Sequence, residues 1–126
     1  MTLYDKDLTE IKQQLNGEWQ LLGGVGPVQS CEYDDTFIVF DDDRYEWIEE
    51  DTREPGEMNW RKEKTCNGYE SYMMDVFYSD LPAYPLALRG DTLLLQDCSP
   101  TLYRYTLVRT KIKGRNKMPI VEPSAE

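Results

Sequence analysis

The sequence predicts an all-β protein of about eight short antiparallel strands, wound up and down into a closed barrel behind one short N-terminal helix. Three observations predict it. Aromatic residues make up 12% of the 126 residues, nine of them Tyr. With frequent Val, Ile and Thr, these favour strands over helices. Turn signals recur at short intervals, and a helical apolar period occurs only once. The chain has one domain's length and can bury roughly two thirds of its unfolded surface without staples.

The helix is expected over Leu8 to Leu15. Asp5 or Asp7 can cap it, Leu8, Ile11 and Leu15 form one apolar stripe, and Asn16-Gly17 ends it. Strands are expected at Glu18 to Leu22, Thr36 to Phe40, Arg44 to Glu50, Met58 to Thr65 and Tyr69 to Tyr78. Three more follow at Leu86 to Arg89, Thr92 to Gln96 and Leu102 to Thr110. Gly23 to Pro27 and Asp51 to Gly56 read as loops. Cys66-Asn67-Gly68 and Gly90-Asp91 read as hairpin turns, where positive φ is needed. Leu81 to Pro85 breaks the strand pattern, and Ser99-Pro100 turns the chain. Connections this short require antiparallel neighbours. Closing the sheet removes its two edges, and an eight-stranded barrel has room inside for side chains or one small ligand. Residues 1–110 form the barrel domain in this reading, and 111–126 a flexible C-terminal tail.

The net charge of −10 argues against nucleic acid and against docking on an anionic membrane. It suits a basic partner protein or simple solubility. Glu32 to Glu57 holds twelve acids against Arg44 and Arg53, whereas Arg109 to Lys117 holds five bases and no acid. No apolar run reaches the ~20 residues of a membrane span. Met1 to Leu15 lacks the apolar region of a leader. The expected location is cytoplasmic for a complete chain, and the envelope or outside if a leader has been removed. Cys31, Cys66 and Cys98 cannot all pair within one chain. Reduced thiols are the simplest arrangement; one disulfide with a free thiol is the other.

Catalytic and metal motifs find no support. With no His, neither a Ser-His-Asp nor a Cys-His arrangement can form. Gly23-Gly24-Val25-Gly26 lacks the strand–helix context of a phosphate loop. Asp41-Asp42-Asp43 and Glu49-Glu50-Asp51 fail the alternation of a calcium loop and read as solvated hairpin tips. No metal, no cofactor and no catalytic residue is assigned.

One aromatic set does point to function. Trp47, Trp60, Tyr72, Met74, Tyr103 and Tyr105 each fall on one face of an expected strand, and those faces can all turn inward. Rings and Met suit an adaptable apolar pocket. Trp47 and Trp60 are expected on neighbouring strands, both mid-strand. The sequence therefore points to a non-enzymatic module that binds a small, largely apolar ligand. The second reading is an interaction, inhibitor or immunity-type module whose acidic surface meets a basic protein.

The segment LNGEWQL, with Gly17-Glu18-Trp19, resembles the G-x-W opening of the lipocalin and fatty-acid-binding (calycin) superfamily. FIVFDDDRYEW is similar to the second hairpin of bacterial lipocalin-like domains. RGDTLLLQD and LYRYTLVR are similar to their last two strands. The resemblance covers about residues 8 to 110. TCNGY and GDTLLLQD also resemble the small bacterial META domain. The lipocalin resemblance implies a structural signature of Gly17, Trp19 and a basic residue packed across the indole. The matching position is Arg109, with Arg104, on the opposite face, as its rival. Arg104 and Tyr105 are adjacent, so they cannot form the R-x-Y carboxylate clamp of fatty-acid-binding proteins. The lid helices of those proteins have no counterpart after the first strand either.

Overall fold

The computed structural model describes residues 1–50, 52–74, 83–98 and 102–112. It is mostly strand, with one helix, α1 (Leu8–Leu15). Asp7 caps α1 by accepting from the Glu10 N–H at 2.9 Å. Ile11 and Leu15 turn its apolar stripe into the core. The strands are β1 (Gly17–Val25), β2 (Ser30–Glu32), β3 (Thr36–Asp41), β4 (Arg44–Glu49) and β5 (Thr52–Glu57). The second half holds β6 (Arg61–Lys64), β7 (Glu70–Met73), β8 (Ala83–Arg89), β9 (Thr92–Asp97) and β10 (Arg104–Arg109).

All pairing is antiparallel, in the order β5-β4-β3-β1-β10-β9-β8, with β2 added to β1. The hairpin β6-β7 is a separate two-stranded sheet. The expected barrel closure is thus not made: among the described residues no ladder joins β5 to β6. The reason lies in what those strands carry. Arg61, Lys62, Glu63 and Lys64 are all exposed, and β5 reads Thr-Arg-Glu-Pro-Gly-Glu. Neither offers an apolar face to bury, and charge and Pro at an edge are an alternative to pairing it. At the far side of the sheet, Leu3 and Leu88 N–H groups donate to Leu86 and Met1 carbonyls, so residues 1–3 cover part of β8's edge. The Met74–Ala83 bridge covers another part.

Other boundaries move for local reasons. The expected loop at 51–56 is an edge strand, because an edge tolerates Pro55. The expected loop at Gly23 to Pro27 begins only after Val25. A register shift between Leu21 and Gly23 lets β1 bend from β3 onto β2, which was not foreseen. Ala83 to Pro85 lies within β8, where a register shift after Pro85 accommodates the missing N–H. Met58, Asn59 and Trp60 precede β6 rather than opening it, and β7 ends at Met73. The expected strand residues 75–78, the Ser99-Pro100 turn and tail residues 113–126 lie outside the described residues. Ile112, placed in the tail from the sequence, is buried with Val39 and Ile48 against Phe37.

The main core lies on the other face of the sheet and includes Trp19, Ile38, Trp47, Leu93, Leu95 and Leu107. The thiols are not all reduced. Cys66 and Cys98 form a disulfide with Cα atoms 5.5 Å apart, within the usual span for such a bond, and Cys31 is free. Among the described residues no helix is long and apolar enough to cross a membrane.

Candidate functional site

The six aromatic and Met positions singled out from the sequence all meet one core. Trp47, Met74 and Tyr105 are buried members of it; Trp60, Tyr72 and Tyr103 are half-buried and packed against it. Strand parity explains this. Trp47 pairs with Ile38, which pairs with Trp19, so the three side chains share the inner face. Tyr105 sits opposite Leu95 on the same face. Trp60 arrives differently: it lies in the link between β5 and β6, and Trp47's strand neighbours are β3 and β5. The expected adjacency of two mid-strand tryptophans is therefore corrected.

Several of these side chains carry polar ends with partners inside. Trp47 Nε1 donates to Glu49 Oε1 at 2.6 Å. The Tyr105 hydroxyl donates to Asp97 Oδ2 at 3.3 Å, and the Tyr103 N–H donates to Asp97 Oδ1 at 2.9 Å. Asp97 is only 2% exposed. Tyr103 and Tyr105 rings lie 5.8 Å apart. Burial, then the Asp97 carboxylate, pushes the Tyr105 hydroxyl well above the usual tyrosine value. Burial, then Cys31, Tyr103 and Glu49, pushes Tyr33 up to about 12. Tyr72 packs under the Lys62 ammonium, 5.5 Å from its ring centroid.

Trp60 differs from the rest. Its indole Nε1 is buried and has no hydrogen-bond partner among the described residues.

At the α1 end, Trp19 is fully buried and its Nε1 donates to Leu15 O at 2.7 Å. The Arg109 guanidinium lies over its ring, 4.2 Å from the centroid. The same guanidinium donates to Asn16 O and Gln14 O at 3.2 Å each, closing the C-terminal end of α1. Gly17 suits its place mainly by its backbone, and a side chain there would also displace the guanidinium. Its φ is +136°, and a Cβ there would lie 2.7 Å from Arg109 Nη1. Arg104, the rival position, points away from this core, with Nε donating to Gln96 Oε1 at 3.2 Å.

Sequence reasoning missed Tyr33 and Asp97, and it left open whether any cysteines pair and which. Asp97 was legible: Leu93, Leu95 and Asp97 alternate onto one face, and extending that strand by one residue would have placed it inside. Three clefts lined by described residues lie elsewhere. One of about 310 Å³ is lined by Val25, Gly26, Pro27, Gln96, Leu102 and Arg104. Others of about 210 and 320 Å³ lie at the Tyr45–Pro55 surface and between α1 and Asp42–Asp43. None includes any of the six residues. Among the described residues no group of His, Cys, Asp and Glu is arranged to hold a metal ion. No family model, no curated protein and no solved structure matches this chain.

Proposed function

We propose that this chain is a non-enzymatic binding module of lipocalin-like type, whose aromatic interior takes a small, largely apolar ligand bearing one hydrogen-bond acceptor. The observation that carries the reading is the Trp60 N–H, buried beside a core rich in rings with no partner among the described residues. Roughly nine in ten buried polar groups have a partner, and leaving one unmade costs about 1–3 kcal/mol. An acceptor supplied from outside the chain relieves that cost. The unpaired flank between β5 and β6, where Trp60 lies, is the natural way in. The stack of Arg109 on Trp19, with α1 behind it, supports the same reading, because it firms one end of the sheet and leaves the ligand to the rest.

The test is titration with an apolar naphthyl ketone probe, whose carbonyl supplies the acceptor. Saturable binding at about one probe per chain, with quenching of tryptophan emission, is expected. Trp60→Phe keeps the ring and removes the N–H. It should weaken binding by roughly two- to tenfold, as the loss of one hydrogen bond of about 0.5–1.5 kcal/mol does, while the ligand-free protein stays folded. No saturable binding to the native protein would mean that the rings fill a solid core. Function would then move to the acidic outer surface and a basic partner, whose association should weaken steeply with salt.

A further inference from the structure

We propose that the Cys66–Cys98 disulfide is a redox latch on the β6–β7 hairpin, holding it on the main sheet when oxidised and freeing it when a dithiol reduces the bond. Cys66 lies in the turn between β6 and β7, and Cys98 follows directly on β9. The bond therefore ties the tip of one sheet to the end of the other. The hairpin's own ladder runs from Arg61–Met73 to Lys64–Glu70 and stays within the two-stranded sheet. Backbone pairing with the main sheet among the described residues comes through the Met74–Ala83 bridge just beyond it.

β6 adds little apolar burial, since all four of its residues are exposed and charged; the hairpin's buried side chains are Ser71 and Met73 on β7. Two-stranded hairpins are marginal on their own. Other contacts remain once the bond is cut. Ser71 Oγ donates to Tyr4 O at 2.7 Å, and the Tyr4 and Tyr69 rings lie 5.0 Å apart. The inference is therefore local opening, not loss of the fold.

Cys66 is exposed, so a thiolate can reach its sulfur. In the step, one thiolate of the dithiol attacks a sulfur of the Cys66–Cys98 bond, which breaks as a mixed disulfide forms. The second thiol of the reductant then displaces the remaining protein sulfur. The dithiol ends as a disulfide, and Cys66 and Cys98 end as thiols, having gained two electrons and two protons. Tyr72 is on the hairpin, and Trp60 and Met74 flank it, so the opening borders half of the aromatic set. Its bearing on binding rests on the ligand reading above; the opening itself does not.

The test is amide hydrogen exchange by mass spectrometry on a Cys31→Ser background, which removes the free thiol. With dithiothreitol, amides of residues 61–73 should exchange at least about tenfold faster, while those of β1, β3 and β10 stay unchanged. Adding Cys66→Ser and Cys98→Ser together should reproduce the fast pattern with or without reductant. Unchanged hairpin exchange, or equal loosening of every strand, would overturn the latch. In parallel, the naphthyl ketone probe should bind the reduced protein at least about fivefold more weakly than the oxidised one. Equal affinity in both states would overturn the latch's part in binding. No binding to the oxidised protein would instead count against the ligand reading, with the exchange result still deciding the latch.

Discussion

Three residues on β1 and β10 act as one unit. Gly17 lacks the Cβ that would meet Arg109, Arg109 covers the indole of Trp19, and Trp19 donates to Leu15 at the end of α1. Trp19→Ala should cost about 3–5 kcal/mol, the usual loss for deleting a buried large aromatic. Arg109→Ala should cost less, about 0.5–2 kcal/mol for the cation–ring contact. Denaturant midpoints check both, and an unmoved midpoint for Trp19→Ala would mean the indole is not packed as described. These two residues were legible because the lipocalin resemblance implies a basic residue across the G-x-W indole, and strand parity sets Arg109 and Arg104 on opposite faces. The tyrosines were not, since sequence does not show which hydroxyls are desolvated. Their burial has a consequence at alkaline pH. Tyr33 is held neutral up to about 12, against 10.0 for a free tyrosine. Below pH 10 both folded and unfolded chains keep this proton, so the stabilisation is fully present. Between pH 10 and 12 the unfolded chain loses its proton first, and stability falls. Tyr84 and Tyr105 shift in the same direction, mainly through burial. Unfolding midpoints should therefore drop from about pH 10 upward. Tyr33→Phe should flatten part of that drop; a slope unchanged by Tyr33→Phe would remove Tyr33 as its source.

Elements with strong local patterns were read well. α1 announces itself by a cap, an apolar stripe and Asn16-Gly17. The β3–β4 hairpin announces itself by alternating rings on either side of Asp42-Asp43. Elements whose existence depends on a neighbour were not. β5 carries Pro55 and Gly56, which read as a loop, yet β4 supplies a full ladder from Arg44–Glu57 to Glu49–Thr52. Gly23 and Gly24 read as part of a loop for the same reason; in the fold they let β2 and a tyrosine ring come close. A Cβ on Gly24 would lie 3.0 Å from two atoms of the Tyr105 ring and 3.3 Å from Cys31 Sγ. Gly24→Ala should therefore cost about 1–3 kcal/mol through overpacking. The expected signature is a lower denaturant midpoint with an unchanged slope. A cost near zero would mean that the Tyr105 ring swings aside freely.

At the scale of the whole molecule, antiparallel pairing of sequential strands followed from short connections; the expected closure was not met. The argument for a barrel assumed that edges must be paired. This chain leaves β5 and β6 charged instead, and couples the second sheet to the first by a covalent bond. A cysteine count cannot choose among pairings, because the choice depends on which chain ends the fold brings within reach. Here the turn after β6 and the end of β9 meet, 32 residues apart in sequence. A bond closing a loop of that length lowers the entropy of the unfolded chain by an amount worth about 3–4 kcal/mol in the loop-closure model. Replacing both cysteines by serine should lower the unfolding free energy by about that much. The two effects of the bond are separable. Local opening of the hairpin is read by exchange in the native state, whereas the loop-closure contribution is read only by global unfolding. Equilibrium denaturation of the oxidised protein and the double-serine variant, after mass spectrometry confirms the bond in the former, measures the second. A difference below about 1 kcal/mol would mean that the unfolded chain already keeps these two segments together, since a constraint adds nothing to an ensemble that satisfies it.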